Sequence, residues 1–290
     1  MKGDTPMKKI IALVVALVLT LSLTAALADT ITIAVPNDPT NEGRALLLLQ
    51  SNGVLTLKEG AGLEATKLDI DTTAVDIELI EVEASILPEY KLNKDVDYVI
   101  INNNFALQAG LNPVADSLLI EAADSPYVNV VSVKAGNEGT DAAKALAAAV
   151  TSQQVVDYIS EKYNGSAVAT IENPTDGYDE TVDYEALKGT TISIAATPVP
   201  HVEILKDVVA AILAEKGITL EVVEVTDYVT PNTLVNDGDV FANYFAHQPY
   251  QDSFNAENNT DLLTIAGVHV EPMALYGGKQ ETRAALGIAE

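Results

Sequence analysis

Arginine is rare in this sequence, and one arginine stands where it could bind a carboxylate. Of the 16 lysines and arginines, only Arg44 and Arg283 are arginines. Arg44 follows a turn-forming stretch at residues 36–41 and falls in a predicted helix at residues 43–50, with Asn41 as candidate N-cap. A helix N-terminus favours an anion, and a guanidinium can hold a carboxylate through two parallel hydrogen bonds. An ordinary surface arginine paired with one of the many acids fits the composition equally well.

Aromatic side chains are concentrated in residues 241–250, although the chain has no Trp and four Phe. This stretch includes Phe245, His247 and Tyr250, and Tyr228 lies nearby in the sequence. Aromatic rings at such density suit a pocket for an apolar or thioether side chain. On composition alone, packing of a helix against the core explains them better.

Side-chain amides stand at the ends of two predicted strands. Asn102, Asn103 and Asn104 follow one strand, and Asn129 lies in another. An amide both donates and accepts hydrogen bonds, which fits the zwitterion of an amino acid. Turn formation is the competing interpretation, and for Asn103 it is the better one.

Composition argues against several classes of function. The formal net charge of -26 disfavours nucleic acid and anionic lipid as partners. The chain has no Cys, which excludes disulfides, thiolate metal sites and a Cys nucleophile. The three histidines lie far apart in the sequence without metal-binding spacing, and neither a nucleophile elbow nor a phosphate-binding loop is present. We therefore expect no enzyme activity, no cofactor and no metal.

The first residues have the pattern of a secretory signal. Lys8 and Lys9 precede an uncharged run at residues 10–27, and Ala26-Leu27-Ala28 forms a small-x-small cleavage site. We predict a signal peptide at residues 1–28, with Met1 or Met7 as the start. An uncleaved anchor is the alternative, and it would be the only contact with a membrane.

The remaining pattern predicts an α/β protein in two blocks joined by a linker. Residues 166–184 lack clear periodicity and are rich in Asn, Pro, Gly and acids, which predicts the linker. Strands are predicted at residues 30–35, 76–82, 97–101, 127–133, 191–195, 219–225, 240–242, 262–268 and 274–276, and helices at 43–50, 140–162, 200–216, 231–236 and 281–289.

Six stretches closely resemble the NlpA family of methionine-binding lipoproteins. The resemblance extends over nearly the whole chain after the signal, apart from the linker, and the longer stretches are specific. The stretches are residues 34–50, 101–106, 125–129, 196–201, 227–232 and 242–250.

The order of these stretches differs from the family order, in which the block at residues 196–201 comes first. The sequence therefore resembles a circular permutation. The resemblance implies a two-lobed α/β fold of the periplasmic-binding-protein type (type II-like) with a ligand cleft between the lobes. We predict one lobe at residues 29–126, a second at residues 127–165 and 185–290, and a linker at 166–184 that joins the family's usual termini. The cut would leave one covalent crossing between the lobes, and thus a loosened hinge.

The resemblance also implies residue roles. Arg44 would bind the ligand carboxylate, Asn102 and Asn129 its polar end, and Tyr228, Phe245, His247 and Tyr250 would surround the side chain. Asn104 and Tyr244 would contact these ligand-binding residues without touching the ligand themselves.

The implied function is capture of methionine, or a related small amino acid, for the permease and ATPase of an ABC importer. An exported sensor or adhesin that keeps the binding fold without transport is the alternative. The family's lipid-bearing Cys is missing, so we expect an exported protein, periplasmic or at the cell surface, without a lipid anchor.

Overall fold

The computed structural model describes residues 30–122 and 126–288, which form two lobes with separate sheets and cores. The strands are β1 (Ile31–Pro36), β2 (Leu55–Leu57), β3 (Ile70–Thr73), β4 (Ile77–Val82), β5 (Tyr98–Ile101), β6 (Leu119–Ile120), β7 (Val128–Lys134), β8 (Val168–Ala169), β9 (Thr191–Ala196), β10 (Thr219–Glu224), β11 (Ala242–His247), β12 (Leu262–Val270) and β13 (Ala274–Gly277). The α-helices are α1 (Pro39–Ser51), α2 (Leu87–Asn93), α3 (Asn103–Gln108), α4 (Pro113–Asp116), α5 (Asp141–Val150), α6 (Gln153–Tyr163), α7 (Tyr184–Leu187), α8 (Ala210–Glu215), α9 (Thr230–Asp237) and α10 (Gln248–Asn258). Helical turns at Pro198–Val202 and Leu205–Val209 lead into α8.

The first lobe is built on a sheet in the order β4-β1-β5-β13-β6. Strands β4, β1 and β5 are parallel, whereas β13 is antiparallel to both of its neighbours. The apolar faces of β1 and β5 pack against α1 on one side and α2 and α3 on the other, which forms two buried clusters. A mixed α/β layer of this kind confirms the fold class expected from the sequence.

The second lobe is built on a six-stranded sheet in the order β10-β9-β11-β7-β12-β8. Its largest core cluster joins these strands to α5, α6 and α8. The helix predicted at residues 140–162 is two helices, because α5 ends at Val150 and Ser152 caps α6 by accepting a hydrogen bond from Val155 N at 3.3 Å. Thr151 between them bonds back to Ala147 O at 2.8 Å, a local bond that competes with helix continuation.

The stretch predicted as a linker is ordered and belongs wholly to the second lobe. It contains β8, which pairs with β12, and Val182 is buried in the core of this lobe. Tyr178 packs against the same core, and its hydroxyl donates to Glu215 at 2.7 Å. The sequence pattern did not predict these elements because they are too short to show a hydrophobic periodicity.

The predicted boundary of the second lobe is wrong at its C-terminal end. Strand β13 pairs with β5 and β6 in the first sheet, and Leu286 is buried in the core of the first lobe. Between the strands that the structure describes, the chain passes from one lobe to the other twice, once between β6 and β7 and once between β12 and β13. We call these the first and second crossings. The single crossing and the loosened hinge expected from the sequence are therefore wrong, because β1 and β13 both belong to the sheet of the first lobe.

The signal peptide predicted at residues 1–28 lies outside the described residues. Among the helices in residues 30–122 and 126–288, none is long and apolar enough to cross a membrane.

Candidate functional site

The polar and aromatic residues singled out in the sequence meet at one edge of both sheets. Asn102 follows the carboxyl end of β5, and His247 ends β11. In open α/β sheets, ligands bind outside the carboxyl ends of the parallel strands. The two edges face each other, so the site lies between the lobes.

Arg44 is buried where the two crossings meet, with 3% of its side chain exposed. Its Nε and Nη2 donate to the carboxylate of Glu121 at 3.1 and 2.5 Å, and Nη2 also donates to Glu271 O at 2.7 Å. The guanidinium carbon lies 4.3 Å from the ring centroid of Tyr127. Within the described residues, Nη1 has no hydrogen-bonding partner, so part of the guanidinium remains for another acceptor.

The helix that carries Arg44 is fixed by its neighbours. Asp38 is its N-cap and accepts from Asn41 N at 3.0 Å, so the prediction of Asn41 as N-cap is wrong. Gly43 permits close packing, because a Cβ there would lie 2.2 Å from the carbonyl oxygen of Leu63. Any larger residue at 43 would therefore push the helix, and Arg44 with it, away from its position.

Asn41 bridges the two lobes. Its Nδ2 donates to the carboxylate of Asp38 at 2.9 Å, which fixes Oδ1 as the acceptor for Asn102 Nδ2 at 2.8 Å. His247 Nδ1 accepts from Tyr250 N, so its Nε2 carries the proton and donates to Asn41 Oδ1 at 3.0 Å. Burial, reinforced by Arg44, lowers the pKa of His247 well below 6.5, which keeps the ring neutral.

The aromatic residues form one wall of the site. The ring of Tyr228 lies 5.9 Å from that of Phe245 and 5.8 Å from that of Tyr250 between centroids. The Tyr228 hydroxyl donates across the cleft to Asn104 Oδ1 at 2.6 Å. This wall belongs to the second lobe, and its bond to Asn104 ties it to the first.

These side chains line a small cavity between the lobes. All seven residues proposed from the sequence line it. The lining residues are Asn41, Arg44, Asn102, Asn103, Asn104, Asn129, Tyr228, Phe245, Ala246, His247, Tyr250 and Glu271. Tyr244 lies outside the lining set and donates its hydroxyl to His269 Nδ1 at 2.6 Å.

Three polar lining residues, and Ala246, were not foreseen as site members. The prediction of Asn103 as a turn residue is wrong, because Asn103 begins α3, is buried and donates to Glu271 Oε2 at 3.0 Å. Asn41 was assigned to the helix cap, and Glu271 had no distinguishing signal among 42 acidic residues.

Two histidines that are distant in sequence meet behind the cavity. His201 Nε2 and His269 Nε2 lie 3.1 and 3.0 Å from Glu271 Oε1, and these three ligand-type atoms lie within 4.8 Å of one another. Within the described residues this is the group that could hold a metal ion. Thr197 and Tyr244 bond the Nδ1 atoms of His201 and His269, so the network is satisfied by hydrogen bonds alone.

Comparison with known proteins identifies the family. The family model described as NlpA lipoprotein matches residues 20–171 and 192–286. The chain belongs to this family.

Curated relatives match over part of their length. The D-methionine-binding lipoprotein MetQ of Yersinia pestis is 41% identical over 136 residues, which cover 47% of this chain and 50% of that protein. Lipoprotein 28 of Escherichia coli K12 is 40% identical over 144 residues, covering 50% of this chain and 53% of that protein. The chain spans about half the length of the curated relatives it matches.

Solved structures give matches of similar extent. A nutrient-binding protein from Burkholderia cenocepacia bound to methionine is 42% identical, with a TM-score of 0.46, covering 50% of this chain and 61% of that one. The methionine-binding protein MetQ is 37% identical, with a TM-score of 0.47, covering 50% of this chain and 59% of that one.

Proposed function

We propose that this protein captures methionine, or a related small amino acid, between its two lobes. The observation that carries the proposal is the cavity itself, in which Arg44 and the amides stand opposite an aromatic wall. Arg44 would bind the ligand carboxylate, and Asn102 and Asn129 its polar end. Tyr228, Phe245, His247 and Tyr250 would surround an apolar or thioether side chain, which aromatic rings attract.

Relatives support methionine as the first candidate. Proteins that are 41% and 39% identical over about half their length carry names that specify D-methionine binding. The cavity chemistry fits these names, because it offers a cationic group for a carboxylate and rings for a thioether. Another small apolar amino acid or a short peptide is the next candidate within the same class.

Thermal unfolding against the twenty amino acids tests the proposal. A ligand that binds only the folded state stabilises it by about 2.7 kcal/mol at one hundred times its dissociation constant. We expect methionine to raise the melting temperature most, and mass spectrometry of natively purified protein should detect the bound ligand. If none of the twenty shifts the melting temperature, the proposal is wrong.

We extend the proposal to transport and location. The protein would be exported through the signal at residues 1–28 and would deliver its ligand to the permease and ATPase of an ABC importer. It would act as a binding protein without catalytic activity. Methionine-dependent uptake in vesicles that contain the candidate permease and ATPase tests this step, and a binding-competent protein that never stimulates uptake would point instead to a sensor or adhesin.

We also propose that the chain is a circular permutation of its family. Motifs at residues 34–50 and 196–201 stand in exchanged order compared with the family. Alignments with relatives each stop near half of both chains, as expected when one continuous alignment can follow only one of two exchanged blocks.

The positions of the first and last described residues support the permutation. Thr30 Oγ1 donates to Asp76 at 2.6 Å, and Gly287 lies beside Ala74 and Val75, so both reach the same loop of the first lobe. Permutation is tolerated where the joined positions are close together and exposed. Because both positions lie in one lobe, the proposed permutation leaves both crossings intact.

A further inference from the structure

A leucine of the first lobe packs against the core of the second lobe. Leu107 lies in α3, which follows β5 of the first sheet, and its half-buried side chain contacts the largest core cluster of the second lobe. The buried members of that cluster all lie within residues 131–268. Leu107 does not belong to the residues that line the cavity. Its side chain is therefore an apolar contact between the lobes, outside the proposed ligand site.

The first lobe holds α3 firmly, so Leu107 has a fixed place on it. Phe105 and Ala106 of the same helix are buried in a core cluster of the first lobe. Residues three and four positions apart lie on the same face of a helix, which places Leu107 one turn beyond the cavity residues Asn103 and Asn104. The face of α3 that meets the second lobe thus has amides at the cavity and a leucine beyond it.

The partner of this face in the second lobe is itself connected to the cavity. The helix α3 packs against the helical turn Pro198–Val202, whose Val202 is buried in the second-lobe cluster. His201 of the same turn bonds Asn129 Oδ1, which lines the cavity, at 3.1 Å. The contact made by Leu107 therefore involves the same piece of backbone that supports one side of the site.

Another apolar contact crosses between the lobes in the opposite direction. Tyr228 of the second lobe packs against a core cluster of the first, with its ring centroid 5.0 Å from that of Phe105. Because Tyr228 also lines the cavity, its truncation would alter the ligand site and the contact between the lobes together. Leu107 separates these two effects, since it takes part in the contact alone.

The burial of the site requires the lobes to separate when a ligand enters. Arg44, Asn102 and His247 line the cavity and are buried, so an amino acid cannot reach them from solvent while the lobes stay together. Separation of the lobes takes Leu107 off the second-lobe cluster and exposes both to water. Their return buries this apolar surface again, which is favourable.

We propose that Leu107 determines the affinity of the protein from outside the cavity, by stabilising the arrangement in which the lobes hold the ligand. The inference rests on the proposed function and adds to it a residue that does not touch the ligand. A larger population of the binding-competent arrangement strengthens the apparent affinity by the same factor for each ligand that this arrangement holds. Leu107 therefore sets how tightly the cleft binds and leaves the choice among amino acids to the cavity.

Titration calorimetry of Leu107→Ala with methionine tests the inference. Alanine has the highest helix propensity, so α3 should persist while most of the apolar contact is lost. We expect methionine binding to weaken by about three- to tenfold, as for partial exposure of one leucine side chain. Stopped-flow tyrosine fluorescence should show the loss mainly as faster dissociation. Leu107→Met, which keeps the apolar volume, should bind nearly as the wild type does.

Leu187→Ala is the matched control. Leu187 is also half-buried and packs against the same cluster, but it lies in α7 of the second lobe itself. Its truncation should lower the melting temperature and leave the methionine affinity unchanged, because this contact persists when the lobes separate. Melting curves of all three variants establish that they are folded. Any other amino acid that binds the wild type should be weakened by Leu107→Ala to the same extent as methionine.

The outcomes separate the inference from the proposed function. Wild-type methionine affinity in Leu107→Ala would overturn the inference and leave the proposed function standing. Equal weakening in Leu187→Ala would also overturn it, since that is the pattern of a general loss of packing in the second lobe. A loss confined to one of several ligands would place Leu107 at the ligand and contradict the inference. Absence of binding by any amino acid in the wild type would overturn both.

Discussion

The guanidinium of Arg44 is paired with the carboxylate of Glu121, which lies in the first crossing between the lobes. The closest contact is 2.5 Å, and Arg44 is 3% and Glu121 15% exposed. The same guanidinium contacts Glu271 O in the second crossing. One side chain therefore joins both hinge segments and lines the cavity, which couples the position of the hinge to the proposed carboxylate site.

Arg44→Lys should weaken methionine binding by about 2–5 kcal/mol, as expected for loss of a buried charged contact. A lysine ammonium is a point charge and cannot reproduce several directed bonds from one planar group. Titration calorimetry measures the change. Arg283→Lys, in a turn of the first lobe outside the cavity, is the matched control and should bind as the wild type does. Equal methionine affinity of the two variants would show that Arg44 does not bind the ligand carboxylate.

Tyr228→Phe should weaken binding by about 0.5–1.5 kcal/mol, the usual net contribution of one hydrogen bond. The substitution keeps the ring packed against Phe245 and Tyr250 but removes the bond to Asn104 across the cleft. The variant then lacks one hydrogen bond that joins the two lobes. Tyr178→Phe removes a hydroxyl bond within the second lobe and is the control. If both variants bind alike, the Tyr228 bond does not stabilise closure.

The unfolding free energy should decrease as the pH falls below about 6.5. The pKa of His247 is lowered by burial and by Arg44, and that of His269 is lowered by burial. The unfolded chain therefore binds more protons than the folded protein near and below 6.5, the ordinary histidine value. Glu271, whose pKa is lowered, contributes stability above its ordinary value of 4.5 and loses that contribution as the pH falls further.

Urea unfolding of His247→Gln measures the contribution of His247 to the pH dependence of the unfolding free energy. Each proton taken up on unfolding changes the unfolding free energy by about 1.4 kcal/mol per pH unit. The variant should show a shallower slope than the wild type between about pH 5 and pH 7, the histidine range. The remaining slope would come from His269. Identical slopes would mean that His247 takes up no proton on unfolding.

The sequence predicted which residues meet in the cavity better than it predicted the connection between the lobes. Arg44, Tyr228 and His247 belong to distinctive local motifs, so they could be named as site candidates without knowledge of the fold. Glu271 was missed because its environment consists of His201, 70 residues away in the chain, and other distant contacts that no local pattern records. The location of β13 was missed for a similar reason, since a short antiparallel strand has no periodicity that assigns it to a sheet.

The permutation proposal predicts that a chain rearranged into the family order keeps both its folding and its methionine binding. In the rearranged chain, residue 288 is joined to residue 30 by a short Gly/Ser linker, and the chain is opened between the exposed residues Glu172 and Asn173. Both crossings and every cavity residue are retained, so we expect an affinity within about threefold of the wild type, as for changes that leave the contacts of a site intact.

A second rearranged chain, opened between Glu271 and Pro272, is the control. It has the same joined ends but cuts the second crossing, so the open state should become more variable and closure should cost more ordering entropy. Its affinity should fall well below that of the first rearranged chain. Small-angle scattering without ligand should show it as the more extended of the two. If the chain opened at 172 fails to fold or bind, residues 166–184 do more than join the family's usual termini, and the permutation proposal is contradicted.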